Sequence, residues 1–445
     1  MNASADLMMA PVGGTGHPGP VPAVRRGACP SLDRPMRTGD GLLVRLTPCR
    51  GGLTLATAQV VCELARRHGN DLLEISTRGN LQIRGLSDDS AAQLSDEIDP
   101  LRDRFRFGLT VDADPLDPRD PNENGLAKAI VGRIEHEAEK TGLKQRLAPK
   151  FSMIVDAGGP VDYSGLKADI RLRLLDTQRW AILIGGTEAT GRHLGDLAPD
   201  EAAIAACVLA AVIATLGPDR RGRDMPADQA RDAISCVAPS FVPAIGDASH
   251  FRAANRKIVA DVGALPLRGT MAAILSPAYG MMAADDLQSL IATAASLTDA
   301  TNASRIRIHT VPDRLLVVTG LSADEAEALP DTAAAKRFII RPDDPRRAIA
   351  CCAGHPACAS AHFDTHGLAD LLVSHGLSGN SKQPIHLSGC EKRCARPASA
   401  ALHVVGTAAG VDCLDEAGTV IAQYTRPDDT LPLVLGLPRF DEGRP

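Results

Sequence analysis

The sequence lacks any apolar run near the roughly 20 residues that a membrane-spanning helix needs. It also lacks a surplus of positive charge: Lys and Arg total 48 against 54 Asp and Glu, a net of −6. That balance excludes broad nucleic-acid affinity carried by overall charge and leaves only local basic patches to bind an anion. The opening stretch, "MNASADLMMAPVGGTGHPGPVPAVRRGACP", has no basic segment followed by an apolar core, so it does not read as a signal peptide. Rich in Gly and Pro, residues 1–25 read as a flexible leader. The expectation is a cytoplasmic protein, with no membrane or nucleic-acid partner and with reduced cysteines.

What is present is a chain of 445 residues, 44% hydrophobic and 23% charged, which suffices for several domains with real cores. A pattern recurs along it. "GLLVRLTPC" reads as a strand, "TLATAQVVCELARRHG" as a helix stopped by Gly69, and "LLEISTRGNLQIRGLS" as two strands around Gly79-Asn80. "MAAILSPAYG", "MAADDLQSLIATAASLTDA" and "SRIRIHTVPDRLLVVTGLS" repeat that order, and both copies end in Gly-Leu-Ser before an Ala-rich acidic helix. Any two β-α-β stretches share some likeness; the common ending favours a duplication. Between the copies, "KFSMIVDAGG", "ADIRLRLL" and "RWAILIGGT" read as a β-meander, followed by a helix at 200–215. After the second copy, "PIHLSGC" leads into "ALHVVGTAAGVDCLDEAGTVIAQY", another strand-turn-strand set. The chain reads as two halves, each a small α/β unit followed by a larger α+β unit, joined near "SCVAPSFVPAIGDASH".

Most of the eleven cysteines are scattered and read as small core residues. Four are grouped. Cys352 and Cys358 form C-x5-C, and after 31 residues Cys390 and Cys394 form C-x3-C, within "CCAGHPACA" and "HLSGCEKRCARP". Two loops presenting two thiolates each suit a [4Fe–4S] cluster, whose four irons each take a thiolate. Gly354 and Gly389 would let the backbone approach the sulfides. Structural zinc is the alternative, although its knuckles favour shorter spacings. Cys351 competes with Cys352, but only Cys352 gives the x5 spacing.

Arginines recur at period two: Arg171 and Arg173 alternate with aliphatics, as do Arg305, Arg307 and His309. Arg45, Arg78 and Arg84 mark the first hairpin, and Lys392, Arg393 and Arg396 crowd the second cysteine loop. A single such strand is usually a solvated face. Several together also suit a shared polycarboxylate site, where arginine bonds bidentately. "AHFDTHGLADLL" offers His362 and His366 at i, i+4, on one face if the segment is helical, residue types that a metal with open positions can take, while Asp364 would point away from His362. Surface histidines are the plainer reading of that stretch, and His355, His386, His309 and Cys29 are further candidates.

The C-x5-C…S-G-C-x3-C-x-x-P pattern resembles the cluster half of the sirohaem-dependent sulfite and nitrite reductases. "STRGNLQIRG" is similar to that family's T-x-R-x-x-x-Q strand pair, with Thr77, Arg78 and Gln82. "RRGACPSLDRPMRTGDGLLVRLTP", "ACCAGHPACASA" and "IHLSGCEKRCARP" further resemble the precorrin-3B synthases, a shorter branch of it. The resemblance covers nearly the whole chain from about residue 26. It implies an α+β fold with a pseudo-two-fold repeat, of ferredoxin-like halves plus two larger α+β domains. The boundaries then fall at 26–100 and 246–330 for the half-domains, and at 101–245 and 331–445 for the larger units, the last bearing the cluster.

The resemblance further implies an O2-dependent monooxygenase acting on precorrin-3A, with a [4Fe–4S] cluster, a non-haem iron and an electron donor, either a ferredoxin or an NAD(P)H-linked reductase. Arg78 and Lys150 would orient the substrate, and Arg45, Arg84, Arg171, Arg173, Arg305, Arg307 and Arg396 would bind its carboxylates. The alternative is a sirohaem-dependent sulfite or nitrite reductase. Two departures weigh against it: Ser152 replaces the second lysine of the reductases' Lys-x-Lys pair, and "DPRDPNENGLAKAIVG" matches their R-N segment only through a displaced Arg119. A small doubly charged oxyanion would be poorly held.

Overall fold

The computed structural model describes residues 30–116, 121–176, 178–244, 260–332, 337–376, 383–397 and 399–427. No helix among them is long and apolar enough to cross a membrane. Cys29 and Arg119 lie outside the described residues, as does part of the joint between the halves.

The repeat is present element by element. Strand Gly41–Leu46, helix Leu55–His68, hairpin Leu72–Ile75 with Leu81–Leu86, and helix Asp88–Ile98 return as strand Met271–Pro277, helix Ala284–Ser296, hairpin Arg307–Val311 with Leu315–Leu321, and helix Ala323–Asp331. The shared Gly-Leu-Ser has one job in both copies. Gly85 and Gly320 sit at φ 73° and 84°, where a side chain is strained. Ser87 and Ser322 then cap the next helix, accepting from Ser90 N at 3.0 Å and Glu325 N at 3.2 Å.

Each copy lends a strand to the other. Met281–Ala283 pairs with Leu72–Ile75, and Leu53–Thr54 pairs with Arg307–Ile308. Ala58, Val61, Cys62 and Ala65 line one face of the first helix at helical spacing and enter a core shared with Leu290 and Leu316 of the second copy. The exchange makes the two ferredoxin-like units one interlocked body.

The two larger sheets share a topology. Thr110–Ala113, Ser152–Asp156 and Ile170–Asp176 run parallel, and Arg179–Ile184 and Arg192–Leu197 close the sheet antiparallel. Ile349–Cys351, Ile385–Ser388 and Leu402–Thr407 repeat the parallel set, followed by antiparallel Gly410–Leu414 and Val420–Tyr424. The expected meander is therefore corrected: its first two strands are parallel, because residues 157–169 form a crossover rather than a turn. In the C-terminal sheet, both cysteine loops leave the carboxyl ends of neighbouring parallel strands, where open α/β sheets place their ligand loops.

Candidate functional site

Cys351 ends its strand fully buried, its Sγ 3.6 Å from the Thr365 carbonyl. Burial, then the neighbouring Cys352, pushes its thiol well above the usual range. Cys352 turns the other way: its Sγ accepts from Gly389 N at 3.2 Å, joining the first cysteine loop to the second. His362 N donates to Gly389 O at 2.7 Å and adds a second tie. Gly354 and Gly389 also serve the packing of the loops. A Cβ on either would strike Thr365 or Ala361, so these glycines let the loop segments pack on one another.

The Cys394 thiol is pushed up first by burial and then by the thiols of Cys352, Cys390 and Cys358, with Arg84 opposing. The Cys394 sulfur thus feels each of the other three thiols, and four thiolates are the donor chemistry that a [4Fe–4S] cluster takes. The fit extends to the loop packing. The turn that precedes strand Gly41–Leu46 lies against the Cys358 loop at Gly39, where a Cβ would collide with Cys358 Sγ.

No three His, Cys, Asp or Glu among the described residues are grouped to hold a metal ion. The helix following the Cys358 loop begins at Thr365, so His362 and His366 do not share a helix face as expected. Asp364 caps that helix, accepting from His366 N at 3.0 Å and Gly367 N at 2.9 Å. His366 packs on Tyr279, with ring centroids 5.2 Å apart, and burial pushes its pKa down. His386 pairs with His403 at 3.0 Å, and burial pushes it down to about 4.

A cleft of about 400 Å³, open mouth included, lies where residues of the first three sheets meet. Arg50, Arg78, Arg106, Asp112, Tyr163 and His309 line it. Arg78 Nη2 meets Asp112 Oδ2 at 2.6 Å, and its Nη1 donates to Lys167 O at 2.8 Å. Arg50 and Arg106 both donate to Val111 O at 2.6 Å. Burial, then Arg50, pushes the Arg106 pKa down. Arg50 also pairs with Glu135 at 2.9 Å, so three guanidiniums face two carboxylates and the cleft is net basic.

Arg84, at the other end of the same hairpin, bonds Asp40 at 2.8 and 3.0 Å and Glu74 at 2.6 Å. With its amide oriented to satisfy both neighbours, Gln82 accepts from Arg45 at 3.1 and 3.2 Å and donates to Glu74 at 3.2 Å. One strand pair therefore runs from the cysteine loops, at Arg84, to the cleft, at Arg78.

The remaining arginines divide. Arg171 is buried and donates to Tyr163 O at 3.0 Å and Leu166 O at 2.6 Å. Arg173 is buried between Asp156 and Glu188, at 3.7 and 3.5 Å. The expectation that these two face a substrate is corrected: their period-two spacing braces the crossover at 157–169 against its own strands. Arg307 donates to Ser304 O and Ile306 O at 2.6 and 2.8 Å, and Arg305 is exposed in the turn before the strand, so the two do not share a strand face. Arg396 is exposed, and its charge pushes His386 and His403 down after burial. Lys150 is exposed outside the cleft, its carbonyl accepting from Arg221 at 2.9 Å. Sequence reasoning missed Arg50, Arg106, Asp112 and Tyr163. Only Arg50 carried a signal, in the turn directly after the first strand.

Comparison with known proteins agrees with this architecture. Residues 34–101 match the nitrite/sulfite reductase ferredoxin-like half domain. The chain is similar in structure to the Mycobacterium tuberculosis NirA protein, with a TM-score of 0.62 and 16% identity over 85% of this chain and 75% of that one. The molecule is thus a nitrite/sulfite reductase-like α+β protein. In sequence, 402 residues, 89% of this chain and 84% of the relative, are 35% identical to a precorrin-3B synthase of Sinorhizobium sp.. The chain belongs to the precorrin-3B synthase family of enzymes.

Proposed function

We propose that this chain is an O2-dependent monooxygenase that hydroxylates precorrin-3A at C20 and closes a γ-lactone from the ring A acetate, a step of aerobic cobalamin synthesis. The observation that carries the reading is the 35% identity to a precorrin-3B synthase across 89% of the chain. One oxygen atom enters the substrate. Two electrons and two protons, the electrons drawn from a ferredoxin or an NAD(P)H-linked reductase, take the other to water.

Cys352, Cys358, Cys390 and Cys394 would hold a [4Fe–4S] cluster, which supplies one-electron transfer when bound. The ligands of the non-haem iron are not assigned to residues of this chain, because no three His, Cys, Asp or Glu among the described residues are grouped around one point. Arg78, anchored by Asp112, presents a fixed cation in the cleft to a substrate carboxylate. Arg50 and Arg106 add positive charge beside it. Lys150, Arg305 and Arg396 remain for peripheral carboxylates, whereas Arg45, Arg84, Arg171, Arg173 and Arg307 are taken by partners within the chain.

Anaerobic purification followed by absorption spectroscopy and pigment extraction tests the reading. It predicts iron, acid-labile sulfide and no sirohaem. Extractable sirohaem together with sulfite or nitrite reduction would overturn it in favour of the reductase.

A further inference from the structure

The histidine pair behind the second cysteine loop has no role in the chemistry above. His386 and His403 are both buried, on adjacent parallel strands where they stand in register. Their Nδ1 atoms are 3.0 Å apart, and His386 Nε2 lies 2.9 Å from the Cys394 carbonyl oxygen. A carbonyl only accepts, so His386 carries its proton on Nε2. A single proton fits between two Nδ1 atoms at that distance. With both rings neutral, His386 Nδ1 is bare and His403 Nδ1 supplies the hydrogen. His403 thereby fixes the tautomer of His386, and His386 holds the Cys394 peptide.

That peptide needs holding. Arg393 and Ala395, on either side of Cys394, sit at φ 49° and 62°, in the left-handed region that costs a residue with a Cβ. Neither is glycine, and among the described residues Arg393 N, bonded to Cys390 O at 3.2 Å, is the backbone donor that braces the turn from within.

We propose that His386 and His403 form a tautomer-locked pair of positioning residues that holds the strained Cys394 turn and so aims the Cys394 thiol at the other three. The inference rests on the reading of Cys394 as a cluster ligand. Its test uses the metal-free full chain, so that it can fail independently of that reading, which is tested by counting iron in Cys394→Ser.

Histidine 15N NMR of the unmodified chain should show the Nε2–H tautomer for His386 and the Nδ1–H tautomer for His403. The opposite tautomer at either residue overturns the proposal. Hydrogen exchange of the segment 390–397 gives the second readout. His386→Leu should speed it about tenfold, the loss of one hydrogen bond, while the segment 402–407 stays protected. His386→Gln, which keeps a donor, should stay within about twofold of wild type. Equal exchange in folded His386→Leu and wild type overturns the proposal. If His386→Leu does not fold, the tautomers decide.

Discussion

The Gly39 carbonyl accepts from the Ala359 amide at 2.9 Å, tying the turn before strand Gly41–Leu46 to the loop that carries Cys358. The tie joins the N-terminal unit to the cysteine centre, 320 residues away in sequence. Gly39→Ala tests whether the contact matters. The added Cβ meets Cys358 Sγ and Ser360 Oγ, and overpacking of this kind costs about 1–3 kcal/mol. Iron per chain after anaerobic purification should fall well below wild type. Full iron content with an unchanged melting temperature would show that the contact is incidental.

Arg84 and Asp40 make a pH-dependent contribution to stability. Burial pushes the Asp40 carboxyl up, but the bonds and charge of Arg84 outweigh it and hold the pKa below its usual value. A depressed native pKa stabilises fully above the unfolded value near ~3.9, and the gain is lost as pH falls through the lower native value. Arg84→Met leaves the carboxylates of Asp40 and Glu74 without their cation and should cost roughly 3–5 kcal/mol at neutral pH. The gap in melting temperature between wild type and variant should narrow below about pH 4. A constant gap would contradict the account.

Arg78→Lys keeps the charge of the cleft but loses the planar fork. For precorrin-3A, kcat/KM should fall roughly ten- to hundredfold, the equivalent of one charge-assisted hydrogen bond. Lys150→Ala, at an exposed position outside the cleft, should cost less. The reverse ranking, read from steady-state kinetics, would move the substrate away from the cleft.

Cys351 and Cys352 are adjacent but should behave differently. The Cys351 thiol is buried against the Thr365 carbonyl, so Cys351→Ala should keep its iron. Cys352→Ala should lose it. Iron and sulfide analysis of both proteins, with circular dichroism to confirm folding, separates the two assignments.

Much of the fold was legible because the duplication leaves local marks. Gly85 and Gly320 need positive φ, and Ser87 and Ser322 need a capping oxygen, so one tripeptide recurs at the same structural point. The cysteine spacing was legible for a similar reason, since a loop leaving a strand end allows few separations. The exchange of strands between the copies left no such mark, because Leu53–Thr54 and Met281–Ala283 are too short to show a pattern. Strand direction was hidden as well: the meander reading took 157–169 for a turn, where the chain makes a crossover between parallel strands. The arginines were read least well. Period two places Arg171 and Arg173 on one face but does not say that the crossover loop covers it. The cleft cations Arg50 and Arg106 follow no period, being brought together only when separate sheets meet.

The most direct test of the central claim is mass spectrometry of the product formed from precorrin-3A, a reductant and isotopically labelled O2. The account predicts a product carrying one labelled oxygen, with C20 hydroxylated and the lactone closed, formed only when O2 is present. An unlabelled product, or turnover that proceeds without O2, would contradict it.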